Sequence, residues 1–196
     1  SHWQWVVYAK HLLDWNHART SLGERVRGRV SIIMPCYQEY AMTLRAVSAV
    51  VENSKEHDIE VLVIDNGSTR EVSQVLDTAA ALFLHTRFIR LPLNYNFAIG
   101  SNFGVIASTG EYVLFLNNDT AARPGWLAPL LRRLDDPWIR GVQPLLLYPD
   151  ETIQSAGIEF LAADSFPQTP LAGHPFEDGR AMRHIPLRAA TAAALL

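Results

Sequence analysis

From residue 30 onward, short apolar runs alternate with segments of helical period. The first run covers residues 30–34, and Leu44, Val47 and Val51 follow at helical spacing within residues 39–53. A second run at 61–64 precedes Val72, Val75, Leu76, Ala79, Leu82 and Phe83, whose i, i+3, i+4, i+7, i+10, i+11 recurrence predicts a helix. A weaker strand at 88–91 leads to a helix at 97–107. A third strong strand at 112–116 leads to a helix at 126–134, introduced by Pro124-Gly125. The strong runs are uniformly apolar rather than alternating, as parallel strands covered on both faces require. This βαβα order predicts an α/β fold with an open, doubly wound, mostly parallel sheet flanked by helices. After Asp136 the rhythm breaks. Residues 141–148 and 153–161 read as extended, and 162–182 as loop, with Pro167, Pro170, Gly173, Pro175 and Gly179. Residues 188–196 are an apolar segment with no cap or turn signal, so the chain is expected to be a truncated one.

Residues 1–29 differ from the rest. Trp5, Tyr8, Leu12 and Trp15 form a helical seam, and residues 22–29 read as a polar linker, which divides the chain into 1–29 and 30–196. The seam suits a helix packed on the main domain or on a neighbour. It lacks the strongly basic face of a membrane-surface anchor.

Composition narrows the function classes. The 196 residues are 48% apolar and 19% charged, with seventeen Lys and Arg against twenty Asp and Glu. A formal charge of -3 does not suit a coat for nucleic acid or an anionic membrane. One cysteine, Cys36, excludes an intrachain disulfide and a multi-cysteine zinc site. The apolar runs are too short to span a bilayer, and Lys10, His11 and Asp14 interrupt any signal-peptide core. A soluble protein of a reduced compartment is expected. No phosphate loop, dinucleotide fingerprint, H-E-x-x-H or nucleophile elbow is present, and the seven histidines show no metal-ligand spacing. Cys36 reads as a buried structural thiol rather than a nucleophile.

The chemistry concentrates where the three strong strands end. They run into Pro35-Cys36-Tyr37-Gln38-Glu39, Asp65-Asn66-Gly67-Ser68 and Asn117-Asn118-Asp119-Thr120. Open parallel sheets bind ligands outside the carboxyl ends of their strands. Two of these endings place an Asp where the strand stops, which suggests a mouth lined with oxygen ligands. Asn66-Gly67 is also a hairpin signal, but the helical period after it favours Ser68 or Thr69 as a helix cap. Asp119 reads equally as a cap for the next helix. On the residues alone, a cation-plus-phosphate site and a set of helix-capping aspartates both stay open.

These endings, in this order, resemble the family 2 glycosyltransferases of GT-A fold. The resemblance runs through residues 30–39, 61–69, Asn94-Tyr95-Asn96 with Gly100 and Gly104, residues 110–120, and Pro124-Gly125-Trp126-Leu127. Residues 144–150 and 153–157 resemble the bacterial, rhamnosyltransferase-like branch that builds surface polysaccharides. The resemblance implies an inverting transferase using a UDP- or dTDP-linked sugar and Mg²⁺ or Mn²⁺, with a saccharide or lipid-linked acceptor. By position it implies that Pro35, Tyr37 and Glu39 line the nucleotide pocket and that Asp65 contacts the base. Asn94 and Asn118 join the donor site, and Asp119 binds the metal that bridges the diphosphate. It implies no nucleic-acid partner, allows further domains of the same chain, and leaves a peripheral membrane contact open.

The departures are specific. Asn117 stands where the D-x-D motif has its first acid, and Gln38 replaces the usual Asn of the first motif. Asn96 stands at a usual Gly, and both residues tolerate positive φ. The family's catalytic base follows a later Gly-Gly-Phe-Asp-like signal that this chain does not reach. Asp135, Asp136, Asp150 and Asp164 are available, and none is in the matching motif. The catalytic base is therefore unassigned. A non-catalytic nucleotide- or partner-binding module of the same fold is the alternative. Asn66-Gly67-Ser68 and Asn118-Asp119-Thr120 match the glycosylation acceptor pattern, and a glycan there would block the site. A cytoplasmic location, with the inner face of the membrane left open, is the expectation.

Overall fold

The computed structural model describes residues 24–160, 166–177 and 189–196. The seam of Trp5, Tyr8, Leu12 and Trp15 lies outside them. The strands are β1 (Val26–Cys36), β2 (Ile59–Asp65), β3 (Thr86–Arg90), β4 (Gly110–Leu116), β5 (Leu146–Leu147), β6 (Ile153–Ser155) and β7 (Ala194–Leu195). The helices are α1 (Tyr40–Glu52), α2 (Arg70–Ala80), α3 (Asn96–Ala107) and α4 (Leu127–Leu134). The main sheet has the order β3-β2-β1-β4-β7, with β5 and β6 in a separate small sheet. β1 to β4 are parallel, and β7 runs antiparallel to β4.

The uniform runs are buried on both faces, as their composition requires. Val30, Ile32 and Met34 join Val61, Val63, Leu114 and Leu116 beneath Ala46, Val47 and Val50 of α1, Leu76 of α2, and Leu127 and Leu130 of α4. The alternate residues Ile33, Leu62 and Ile64 join Leu91, with Phe103 and Val105 of α3 packed on them. Each fully buried aliphatic side chain contributes about 1.5–3 kcal/mol, so β1 and β2 dominate the core. α3 presents small residues to the sheet: Gly100, Ser101 and Gly104 are its buried ones. A Cβ at Gly104 would come within 2.3 Å of Ile33 Cγ2, so the helix sits closer than any side chain would allow.

The structure moves several sequence boundaries. β1 starts at Val26, inside the stretch read as a polar linker. Val26 to Arg29 extend beyond the core, and a bulge separates the Val26–Gly110 pair from the Val30–Tyr112 pair. Exposed side chains on a paired backbone leave no apolar signature. α2 ends at Ala80, and Leu82, at 78% exposure, lies in the turn that follows. β3 begins two residues earlier than its apolar run, because Val61 pairs with Thr86. The expected extended segments 141–148 and 153–161 condense, among the described residues, to the short β5–β6 pair and isolated bridges at Ile158 and Glu159. Residues 166–177 are turns and bridges, in keeping with a loop, and the rest of 162–182 lies outside the described residues. β7 was not legible as a strand.

Candidate functional site

The chain leaves β3, passes through α3 and enters the sheet again as β4 on the far side of β1. Strand order thus reverses between β1 and β4, and the crevice at their carboxyl ends is where an open α/β sheet takes ligands. The endings of β1, β2 and β4 all arrive at this edge, joined by the segment after β3.

At the end of β2, Asp65 is 2% exposed and accepts one hydrogen bond on each oxygen. One carboxylate oxygen accepts from the Ser68 backbone N–H at 3.0 Å, the other from the Ser73 hydroxyl at 2.5 Å. The carboxylate thereby pins the loop to the first turn of α2. The Thr69 side chain makes no cap hydrogen bond, so neither residue expected to cap α2 does so through its hydroxyl. The Ser68 hydroxyl instead accepts from the Gln38 backbone N–H at 2.8 Å and ties the β1 and β2 endings together.

Asn66 organises the next loop. Its side-chain oxygen accepts from Tyr95 N–H at 3.0 Å, and its nitrogen donates to Asn94 Oδ1 at 3.2 Å and the Asn96 carbonyl at 2.9 Å. Asn94 Oδ1 also accepts from Asn96 N–H, so Asn94 is committed to the loop although the residue is exposed. Asn96 has φ +68°, so the turn expected of a glycine there survives. Gly67, at φ +77°, passes against the Leu93–Asn94 backbone. Asn66 is 5% exposed, which leaves no room for a glycan.

At the end of β1, Pro35 is buried in register with Ile64 and holds the strand. Cys36 is 5% exposed; burial first, and then the nearby Asp65 charge, push its thiol up to about 12, against a hydrogen bond with Thr43. It is a structural thiol, as read from the sequence. Tyr37 and Tyr40 are 48% and 43% exposed, and Glu39 is exposed at the N-terminus of α1 without a side-chain cap bond. Gln38 takes φ +66°, a left-handed conformation that its Asn counterpart in the family would adopt more easily.

After β4 no helix follows Asp119 directly; α4 begins only at Leu127, so Asp119 does not cap it. The turn is closed by the Thr120 N–H donating to the Asn117 carbonyl. α1 and the two residues after it hold the segment from one side. Asn118 donates to Thr43 Oγ1 at 3.0 Å, Asn53 donates to the Ala122 carbonyl at 3.0 Å, and Trp126 Nε1 donates to Ser54 Oγ at 3.1 Å. Asp119 is exposed and hydrogen-bonds to none of the described residues. Among the described residues no group of three or more His, Cys, Asp or Glu gathers as a closed metal cage. An exposed carboxylate on a fixed turn fits a hard divalent cation that takes its remaining ligands from phosphate and water.

Sequence reasoning missed Asn66, Ser73 and Arg90. Asn66 carries three loop contacts, yet its Asn-Gly pair reads as a turn. Ser73 is the buried polar residue of an otherwise amphipathic helix, and that mismatch was its only signal. Arg90, exposed and in register with Asp65, brings a cation to the same edge.

Comparison with known proteins gives a consistent picture. The family model described as glycosyl transferase family 2 matches residues 31–155. The O-antigen biosynthesis protein RfbC of Myxococcus xanthus is 32% identical over 158 residues, 77% of this chain and 12% of that protein. Polypeptide N-acetylgalactosaminyltransferase 5 of Mus musculus is 30% identical over 139 residues, 69% of this chain and 14% of its own length. The chain thus spans a small part of these relatives. Among solved structures, the mannosyltransferase PcManGT from Pyrobaculum calidifontis, in complex with GDP-Man and Mn²⁺, has a TM-score of 0.56 at 21% identity. That match covers 74% of this chain and 45% of the mannosyltransferase and supports the shared α/β fold.

Proposed function

Because the chain belongs to glycosyl transferase family 2, we propose that it is the donor-binding part of an enzyme that transfers a sugar from a nucleoside-diphosphate sugar to a saccharide or lipid-linked acceptor. The observation that carries this reading is Asp119. It is an exposed carboxylate, without a hydrogen bond to any of the described residues, on a turn pinned to α1, on the same sheet edge as the Asp65–Ser68 loop. Tyr37 offers the exposed aromatic face for the base, and Glu39 and the Asn94 loop flank it. Asp65 holds the loop with one accepted bond on each oxygen, and its remaining lone pairs are the ones proposed to meet the base. Asp119 would hold Mg²⁺ or Mn²⁺ jointly with the diphosphate. Such a cation, when bound, neutralises the charge that develops on the departing nucleoside diphosphate.

The reading includes inversion. The acceptor hydroxyl attacks the anomeric carbon from the side opposite the diphosphate and gives its proton to a base. Asp136 and Asp150 are occupied in local turns, with Trp138 N–H and with the Thr152 N–H and hydroxyl. Asp164 lies outside the described residues. No base is assigned. The name of the Myxococcus relative supports a role in cell-surface polysaccharide synthesis. No helix among the described residues is long and apolar enough to cross a membrane. A cytoplasmic setting, at the inner membrane face for a lipid-linked acceptor, is part of the same proposal.

Calorimetry with UDP, dTDP and GDP, each with and without Mn²⁺, tests the reading. Metal-enhanced binding of at least one, lost in Asp119→Asn, is expected. Binding of none of the three, or an Asp119→Asn protein that keeps the enhancement, would sink it.

A further inference from the structure

The turn that carries Asp119 is held from a second side, and a residue far away in sequence controls that hold. The Asn117 backbone N–H donates to the Ala193 carbonyl at 2.9 Å. Residues 191–193 lead into β7, which has only two residues and cannot fix them by itself. Their support comes from Gln143. Its carboxamide oxygen accepts from Thr191 N–H at 2.8 Å, and its nitrogen donates to Ser155 Oγ, in β6, at 3.0 Å. The Thr191 hydroxyl accepts from Ala193 N–H at 3.3 Å and stiffens the same segment. Val142 and Leu196 exchange both backbone hydrogen bonds, at 2.7 and 3.0 Å, and set Gln143 beside the strand. Ser155 is 4% exposed, so the far end of the clip is anchored in the interior.

We propose that Gln143 is a positioning residue for the cation-binding turn. One carboxamide joins β6 to residues 191–193, and the Ala193 carbonyl then sets the Asn117 backbone from which Asp119 projects. The cation part of this inference rests on the functional reading above; the mechanical part does not. A primary carboxamide suits the place because it meets one donor and one acceptor at once. A carboxylate can keep both contacts, since the Ser155 hydroxyl can turn its proton from the Gly157 carbonyl, a long bond of 3.4 Å, to the second oxygen. An aliphatic side chain of similar size keeps neither and strands the Thr191 N–H.

The test compares the wild-type chain with Gln143→Leu and Gln143→Glu. Amide hydrogen exchange is read at Thr191 and Asn117, with Val63 in β2 as the reference for global opening. Binding of UDP, dTDP and GDP is measured with and without Mn²⁺. From the net worth of one or two hydrogen bonds, Gln143→Leu should speed exchange at Thr191 and Asn117 by about three- to tenfold or more and leave Val63 unchanged. The Mn²⁺-dependent gain in nucleotide affinity should fall by about three- to tenfold, with metal-free affinity preserved. Gln143→Glu should track the wild type in every readout, which a merely space-filling role would not produce. Unchanged exchange at Asn117 in Gln143→Leu overturns the proposal, as does equal loss in the Leu and Glu variants. If Mn²⁺ adds nothing in the wild type, the functional reading fails while the exchange data still decide the clip. Should Gln143→Leu not fold, Ser155→Ala frees one end only. Faster exchange at Thr191 and Asn117 then supports the clip, and unchanged exchange overturns it.

Discussion

Gly67 and Gly28 form a matched pair for asking what holds the loop after β2 in place. Both have φ +77°, but nothing lies within 4 Å of a Cβ built on Gly28. A Cβ on Gly67 would stand 2.3 Å from the Leu93 carbonyl carbon and 2.5 Å from the Asn94 nitrogen. Alanine at either position carries the left-handed backbone penalty of about 1–2 kcal/mol. At Gly67 the Leu93–Asn94 peptide must also retreat by about 1 Å to reach the ordinary 3.4 Å contact. That peptide precedes the Asn94 side chain, which accepts from Asn66 and from Asn96 N–H. Overpacking costs about 1–3 kcal/mol, and each disturbed hydrogen bond about 0.5–1.5 kcal/mol. Gly28→Ala should therefore lose about 1–2 kcal/mol and Gly67→Ala about 3–8 kcal/mol. For a domain of this size, 1 kcal/mol moves the melting temperature by about 2–4 °C. Circular dichroism melts should show a small shift for Gly28→Ala and one at least about twice as large for Gly67→Ala. Equal shifts would refute the packing argument, because conformation alone would then account for both.

Other tests probe the sheet and its buried polar groups. Burial would raise the Glu60 carboxyl, but bonds from the Ser31 hydroxyl and from Thr109, with the Arg87 charge, outweigh it and hold it below 4.5. A group lowered on folding contributes stability above its unfolded pKa and loses it as pH falls through the folded one. Melting temperature should thus drop below about pH 4.5, with Glu60→Gln less acid-sensitive there; parallel curves for the two proteins would refute this. Cys36, with its thiol near 12 and 5% exposure, should resist iodoacetamide at pH 8 in the native state and react promptly in denaturant. Stoichiometric native labelling would contradict that burial. The Ser101 hydroxyl is buried and has no hydrogen-bond partner among the described residues, so Ser101→Ala should raise stability, by up to about 1–3 kcal/mol. A lower melting temperature would show that the hydroxyl is satisfied after all.

The sequence by itself determined the layered fold. A run such as Val61-Leu62-Val63-Ile64 has no polar face to give to water, so it must lie between two layers, and helical periods between such runs supply them. It also determined that two aspartates, Asp65 and Asp119, stand where strands stop, at the edge where an open parallel sheet takes ligands. Only the tertiary structure decided how their surroundings differ. Asp65 turns inward onto Ser68 and Ser73, while Asp119 is exposed and hydrogen-bonds to none of the described residues, although each is by pattern an Asp after a strand. Periodicity reports which face is buried, not which buried donor a carboxylate meets. The same limit hid β7, two residues long and stabilised by pairing with β4 rather than by any pattern of its own. It hid Gln143, which meets Ser155 and Thr191 across sequence separations of 12 and 48 residues. Contacts across such distances exist only once the sheet has formed, so the chain order of residues holds no local trace of them.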